Sequence, residues 1–578
     1  MSEKLSRFLI CYEQDFLDDV IKRINGQKDK FPGVIFVQNN KGQLRGVLTD
    51  SDIIKAISQC TDTHIPVSDH MNRNPIAYKE SLPRSELLQE VRLEVNKRKS
   101  TSGKLVRYVP IIDEKQRILD IIDIYSLAEF NLDTNYTVCI AGLGFVGLTL
   151  AVKIASLGIS VIGYDTNQEL IDSLAEREVT VYEPRLKDML DKVLDEKSLF
   201  LTHNSKDISL CNIYIISVGT PTKNDIPDLN YIKAALNVIG DNLSTNDLVM
   251  LRSTVPVGTT RNIASKVLTK KSGLRCGDEY YLAFTPERTV EGRAMDELSQ
   301  LPQIVGGISK RCVEKSSQFW SNISNSVVPV SSVEAAEFVK LLNNSYRDLR
   351  FAFSNSFSLL ADNYNLVARE VIEAANDGYP RDPIALPSPG VGGYCLSKDP
   401  YLYASTCPKE HTHSELASLG RTINKLSGLY PLSLANEYAE RNNRSLETYS
   451  ILIIGIAFKG EPQTMDLRGS SSIDLAYGLK KRGAKVYIYD HLVPSNKLDH
   501  LPFEQTSFDD SCNKCEIVMI MNNNPNNISD ELLHLLNKKP TLLFDGWSQY
   551  DSIQVSKYKN ICYSTMGFMH GREQLPTN

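Results

Sequence analysis

Residues 136–165, YTVCIAGLGFVGLTLAVKIASLGISVIGYD, leave this chain few folds to adopt. An apolar run ends in Gly142-x-Gly144-x-x-Gly147, with Phe145 and Val146 inside the motif. A helical apolar pattern follows, and a second apolar run ends at Asp165. Strand, glycine turn, helix and strand, with an acid 165 − 147 = 18 residues past the last glycine, define a dinucleotide-binding βαβ unit. The glycines allow a tight turn and bring a pyrophosphate close to a helix N-terminus. Asp165 is placed to accept hydrogen bonds from the adenosine ribose and to repel a 2′-phosphate. Thr166-Asn167 supplies no arginine, so the expected cofactor is NAD rather than NADP.

The chain of 578 residues has room for roughly three or four domains of about 150 residues each. A net charge of -6 argues against nucleic acid and against an acidic membrane surface as partners. The most apolar stretch begins at Val138 and meets Lys153 after 15 residues, short of the roughly 20 that span a bilayer. Charges interrupt the N-terminal apolar run, so no export signal is expected. The 11 cysteines are then expected as reduced thiols in the cytoplasm. Cys512-x-x-Cys515 lacks a second pair and His411-x-His413 lacks a third ligand, so no metal is expected.

More apolar runs end in polar residues: IYIISVGTPT with Thr220, DLVMLRSTVPVGTT with Thr254, and YYLAFTPERTVEG with Glu287 and Glu291. These fit parallel strands whose carboxyl ends carry a site. Val330 to Asp377 contains neither Gly nor Pro, and Phe338, Leu341, Leu342, Leu349, Phe353, Phe357 and Leu360 recur at helical spacing. One long helix is expected there, opened by a capping box at Ser331 and Glu334. Lys340 and Asn344, four apart, share a face of it. GVGGYCLSKD follows at 390–399. Glycines admit a close backbone, and a nearby cation acidifies a thiol, so Cys395 is expected to be used for chemistry. YSILIIGIAFKG and AKVYIYD open a second α/β domain without the glycine motif.

The first 130 residues hold a duplicated unit. PGVIFVQNNKGQLRGVLTDSDIIKAI and RYVPIIDEKQRILDIIDIYSLAEF each give strand, turn, strand and helix, about 75 residues apart. The pair resembles cystathionine-β-synthase-type (CBS) repeats, modules that commonly bind adenine nucleotides, with a structural or assembly role as the equal alternative. That resemblance implies Thr49 and Asp52 as ribose contacts. Asp123 and Ser126 occupy the equivalent places in the second copy, so at most one usual site is expected.

From residue 136 onward the ordered motifs resemble the nucleotide-sugar 6-dehydrogenases, the UDP-glucose and UDP-N-acetylhexosamine enzymes. The resemblance implies an α/β fold: two Rossmann-like domains joined by a long central helix, preceded by the α+β CBS-type pair. Its expected parts are the CBS-type pair at 1–130, an NAD-binding Rossmann domain at 136–330, a central helical dimerisation domain with the cysteine loop at 331–425, and a UDP-sugar-binding Rossmann-like domain at 426–578. It implies a homodimer or higher homo-oligomer. The implied reaction oxidises a sugar C6 alcohol to a carboxylate with two NAD⁺ and one water.

Carried over by motif, Cys395 is the nucleophile and Lys340 the oxyanion-stabilising ammonium. Asn344 holds water or sugar, Asp399 acts through a water, and Thr254 binds water. Glu291 is the better candidate for activating the hydrolytic water, and Glu287 orients its neighbours. Thr220 and Lys398 fall on the cofactor side. Gly392, Phe458, Lys459 and Arg468 fall on the nucleotide-sugar, and Arg381 on the sugar of a neighbouring subunit.

Two departures stand out: Lys459 and Arg468 are 468 − 459 = 9 apart, two more than the family pattern, and Trp547 stands where UDP-glucose members often carry arginine. GGYCLSKD, with Tyr394, resembles the UDP-glucose branch. YPRDPIALPSPGVGG and PERTVEG…LPQIVGG resemble the N-acetylhexosamine branch, towards which the balance leans (GlcNAc or ManNAc). An adenine-nucleotide-sensing protein with a degenerate dehydrogenase body is the rival of another class.

Overall fold

A computed structural model of the chain describes residues 9–25, 33–49, 52–53, 55–56, 64–79, 108–123, 136–406, 412–505 and 513–572. The chain divides into two compact units, 1–133 and 134–578. Cys512, His411 and Ser126 lie outside the described residues, as do the side chains of His413 and Asp123.

The first unit is a duplication in its hydrogen bonding as well as its sequence. Val34–Gln38 pairs parallel with Leu9–Tyr12 and antiparallel with Leu44–Thr49. Tyr108–Ile112 repeats this between Tyr78–Lys79 and Ile118–Asp123. The two turns are copies. Asn39 Oδ1 accepts from the amides of Lys41 and Gln43 at 3.0 Å, and Asp113 Oδ1 accepts from those of Lys115 and Arg117 at 2.9 and 2.8 Å. An Asx side chain that mimics a turn carbonyl explains why each copy starts its turn with Asn or Asp.

The second unit holds two mostly parallel sheets, with antiparallel pairing only between Tyr281–Phe284 and Gln303–Gly307 in the first and between Ile561–Thr565 and Phe568–Met569 in the second. Eight strands run in the spatial order Val327–Pro329, Gln303–Gly307, Tyr281–Phe284, Leu248–Leu251, Ile213–Ile216, Thr137–Ala141, Ser160–Tyr164 and Leu199–Thr202. Chain direction across the sheet reverses on either side of Thr137–Ala141, which opens a crevice at the strands' carboxyl ends. The second sheet runs Glu504–Gln505, Lys485–Tyr489, Ser450–Ile454, Ile517–Ile520, Thr541–Asp545, Ile561–Thr565 and Phe568–Met569, with its own reversal beside Ser450–Ile454. Its central strands are apolar and buried on both faces, as a sheet covered by helices on each side requires.

The region without Gly or Pro holds a 30-residue helix, Val333–Asp362, and after a turn a second helix, Ala368–Asn376, so the expected single helix is broken. The cap of the longer helix lies one residue beyond the expected box. Ser332 Oγ accepts from Ala335 N at 3.2 Å, and Glu334 pairs with Arg261 Nε at 2.5 Å instead of closing a box. The apolar spacing that predicts the helix does not mark its buried side. Phe338, Leu342, Phe353 and Leu360 are exposed, while Ser345, Asp348, Ser354, Asn355 and Ser358 are buried, Asp348 and Asn355 against the helix Thr412–Arg441. Among the described residues no helix is long and apolar enough to cross a membrane, and no group of three His, Cys, Asp or Glu is placed to hold a metal.

Candidate active site

The helix Tyr394–Thr406 begins at the glycine loop, so Cys395 lies in its first turn. Gly393 has φ 90°, and a Cβ there would stand 2.7 Å from the Phe458 ring. A Cβ on Gly392 would stand 2.5 Å from Gly469 O. Only glycine lets this loop pass so close to the second α/β domain.

One turn into the helix, Lys398 Nζ donates to Asp399 Oδ1 at 2.6 Å and to Thr220 Oγ1 at 3.2 Å. Asn344 Nδ2 donates to Asp399 Oδ2 at 2.5 Å. Thr220 of the dinucleotide domain, the cysteine helix and the central helix are thus tied by one buried chain. Lys340 is 8% exposed, and its ammonium makes no hydrogen bond or ion pair among the described residues. Its charge acts on both Cys395 and Glu287.

The thiol departs from the sequence expectation. Cys395 is exposed to solvent. Desolvation, followed by the Asp399 charge, raises it above the ordinary thiol range, against the pull of Lys340 and Lys398. The cations beside the cysteine pull its thiol down, but desolvation and the Asp399 charge outweigh them. Burial pulls Lys398 down, but Asp399 and Cys395 outweigh it and hold Lys398 above the usual lysine value.

The two glutamates separate by environment. Glu287 is buried with both oxygens occupied. Arg252 binds Oε2 at 2.8 and 2.5 Å, and the amides of Arg288 and Thr289 bind Oε1 at 2.6 and 2.7 Å. Burial pushes its carboxyl up, but Arg252 and the amides win and it lies below the usual range. This suits a residue that orients its neighbours. Burial, and then Asp466, raises Glu291, whose Oε2 accepts from Thr464 Oγ1 at 2.9 Å. A raised carboxyl suits proton transfer.

The longer loop between Lys459 and Arg468 explains that spacing. Asn523 Oδ1 accepts from the amides of Gly460 and Glu461, Tyr182 OH donates to Gln463 Oε1 at 3.3 Å, and Thr464 reaches Glu291. The extra residues clasp the dinucleotide domain. Lys459 Nζ donates to Glu291 O at 2.8 Å. Arg468 lies over the Tyr394 ring at 4.6 Å with Asp466 Oδ2 at 2.7 Å. Trp547 donates its indole N–H to Met521 O at 3.1 Å. Thr254 is half-buried in the segment after Leu248–Leu251, and that segment is held by Glu337, which accepts from Gly258 N, Thr260 N and Thr260 Oγ1. Arg381 lies apart on an exposed loop, bonded to Tyr379 OH at 3.0 Å. In the other unit Asp52 Oδ2 accepts from Thr49 N at 3.1 Å and Thr49 Oγ1 at 2.7 Å.

The dinucleotide turn fits NAD. Gly142 has φ 94°, and a Cβ on Gly147 would stand 1.8 Å from Gly142 O. Open space faces Gly144, which begins the helix Phe145–Ala155 with no side-chain cap, so the first amides are left for an anion. Asp165 accepts from Leu143 N and Asn167 N with one oxygen each and keeps lone pairs for a ribose.

Sequence reasoning missed Glu337, Asp348, Asn355, Arg421 and Asn424. Glu337 and Asp348 stand three before Lys340 and four after Asn344, so helical spacing could have found them. Their partners lie 73 to 79 residues away in the chain and leave no local signal.

A dinucleotide crevice, an uncommitted buried ammonium and a thiol at a helix start define the class: an NAD-dependent dehydrogenase. Models of the UDP-glucose/GDP-mannose dehydrogenase family match in sequence order: the NAD binding domain at 136–324, the central domain at 334–426 and the UDP binding domain at 452–552. The chain belongs to the UDP-glucose/GDP-mannose dehydrogenase family. A CBS domain model matches 4–59. The chain is 33% identical over 356 residues to the UDP-N-acetyl-D-mannosamine dehydrogenase of Pyrococcus horikoshii, covering 62% of this chain and 84% of that one. It is 31% identical over 346 residues to the NDP-N-acetyl-D-galactosaminuronic acid dehydrogenase of Ralstonia solanacearum, covering 59% and 79%. The solved UDP-D-ManNAc dehydrogenase structure from Pyrococcus horikoshii superposes with a TM-score of 0.68 at 28% identity, covering 75% of this chain and 99% of that one.

Proposed function

We propose that this enzyme oxidises the C6 alcohol of a UDP-N-acetylhexosamine to the carboxylate through a covalent bond to Cys395. The observation that carries the reading is the buried, uncommitted Lys340 ammonium acting on Cys395, beside the Asn344–Asp399–Lys398 chain. NAD⁺, when bound, supplies the hydride acceptor for both oxidations. Lys340 stabilises the C6 oxygen as its proton leaves, and Asp399, steadied by Asn344, takes up that proton through a water. The Cys395 S–H adds across the resulting aldehyde, giving a thiohemiacetal whose C6 loses the second hydride and whose hydroxyl loses its proton. The thioester left on Sγ is cleaved by a water that Glu291 deprotonates, which restores the thiol. The balance is one alcohol, two NAD⁺ and one water to one carboxylate, two NADH and three protons.

The UDP-N-acetyl-D-mannosamine and NDP-N-acetyl-D-galactosaminuronic acid relatives favour an acetamido sugar over UDP-glucose. The exposed apolar stripe Phe338, Leu342, Tyr346 and Phe353 suits burial by a second copy, with Arg381 reaching the partner's sugar. The free cysteines suit a cytoplasmic enzyme. Thr49 and Asp52, already together, suit an adenine nucleotide. NADH production from UDP-GlcNAc, UDP-ManNAc and UDP-glucose, with and without AMP or ATP, tests these readings together. Two NADH per acetamido sugar, at least about tenfold faster than with UDP-glucose, and a nucleotide-dependent rate are expected. Faster turnover of UDP-glucose would reassign the substrate, and an unchanged rate with nucleotide would remove regulation by the N-terminal unit.

A further inference from the structure

We propose that Arg421, paired with Asp348, is the positioning residue for the nucleophile loop and acts by holding the carbonyl of Val391. The inference rests on the reading of Cys395 as nucleophile. Arg421 belongs to the helix Thr412–Arg441 and is 3% exposed; Asp348 on the central helix is 1% exposed. Arg421 NH1 donates to Asp348 Oδ1 at 2.6 Å, and NH2 donates to Val391 O at 3.2 Å, four residues before Cys395. Asn424 Nδ2 donates to Asp348 Oδ1 at 2.9 Å, and Asn424 Oδ1 accepts from Asn355 Nδ2 at 2.9 Å. Asn355 Oδ1 accepts from Ser388 N at 2.8 Å, and Ser427 Oγ donates to Ser388 O at 2.8 Å. The loop is therefore held at both ends, Ser388 and Val391, by the same two long helices.

Stability alone does not account for this pair. A buried ion pair offsets its desolvation only when its remaining polar atoms are bonded. Asp348 Oδ2 and Arg421 Nε bond nothing among the described residues. An apolar pair of similar volume would pack the helix seam at least as well, but it could not donate an N–H to Val391 O. Asp348 also lies four residues after Asn344 and eight after Lys340, on the same helix stripe. One face of one helix thus sets the ammonium over the reacting carbon and, through Arg421, the loop that delivers the sulfur. Misplacing a reacting group by about 1 Å is enough to cost about 10²-fold in rate.

The test compares the double variant Asp348→Leu/Arg421→Met with Arg421→Lys, each as the full chain. Both are expected to bind NAD⁺ and UDP-sugar normally. kcat is expected to fall about 10²-fold in the double variant and about tenfold in Arg421→Lys, whose compact ammonium lacks the planar fork that reaches Asp348 through one nitrogen and Val391 O through another. The pH profile of iodoacetamide alkylation at Cys395, without substrates, is expected to differ from wild type in both. If the double variant fails to fold, Arg421→Lys alone decides. A wild-type alkylation profile in every variant that folds overturns the proposal, whatever the turnover. Wild-type enzyme inactive on every UDP-sugar would instead count against the proposed function, and the alkylation profiles would still decide the role of Arg421.

Discussion

Cys395→Ala is expected to lose acid formation by about 10⁴-fold or more while binding NAD⁺ as the wild type does. The expectation follows from where the sulfur lies. It stands in the first turn of a helix, exposed to solvent, so its removal leaves no core cavity and the fold should persist. The dinucleotide turn at Gly142 to Gly147 is built by other elements and stays intact. Without the thiol, C6 has no covalent route from aldehyde to thioester. NADH release and uronate formation, measured beside an NAD⁺ titration, check this. An unchanged rate of acid formation would remove Cys395 from the chemistry.

Lys340→Met is expected to lower kcat by about 10² to 10³-fold and to leave thermal stability unchanged or higher. A buried ammonium with no hydrogen bond or ion pair among the described residues is costly, and methionine fills nearly the same volume without it. Function and stability should therefore move in opposite directions. Nothing else among the described residues offers an uncommitted ammonium at Cys395, because Lys398 is bound to Asp399 and Thr220. Parallel measurement of kcat and thermal unfolding checks both halves. A melting temperature lower by many degrees with normal turnover would make Lys340 a structural residue.

Much of this site was legible from local spacing. Gly142, Gly144, Gly147 and Asp165 must fall where they do for a strand to turn into a helix over a pyrophosphate, and the structure closes that turn with Asp165 bonded to Leu143 N. Lys340 and Asn344, one turn apart, could hardly fail to share a face once the helix existed. What local spacing left open is physical in each case. Two adjacent serines compete to cap the central helix, and the register chooses Ser332. A lysine three residues past a cysteine suggests an acidic thiol, but desolvation and the neighbouring Asp399 charge hold that thiol up. An apolar stripe predicts a helix without saying whether its own chain or a second copy covers it, and here the chain buries the polar side. Arg421 and Asp348 meet across 73 residues, a distance no periodicity encodes.

The most direct test of a sulfur–carbon bond is mass spectrometry of the Cys395 peptide after acid-quenching Glu291→Gln enzyme during turnover with NAD⁺ and UDP-sugar. Slowed hydrolysis should leave a uronyl adduct on that peptide, in proportion to the NADH already released. NADH formed with the Cys395 peptide unmodified at every quench time would contradict the account.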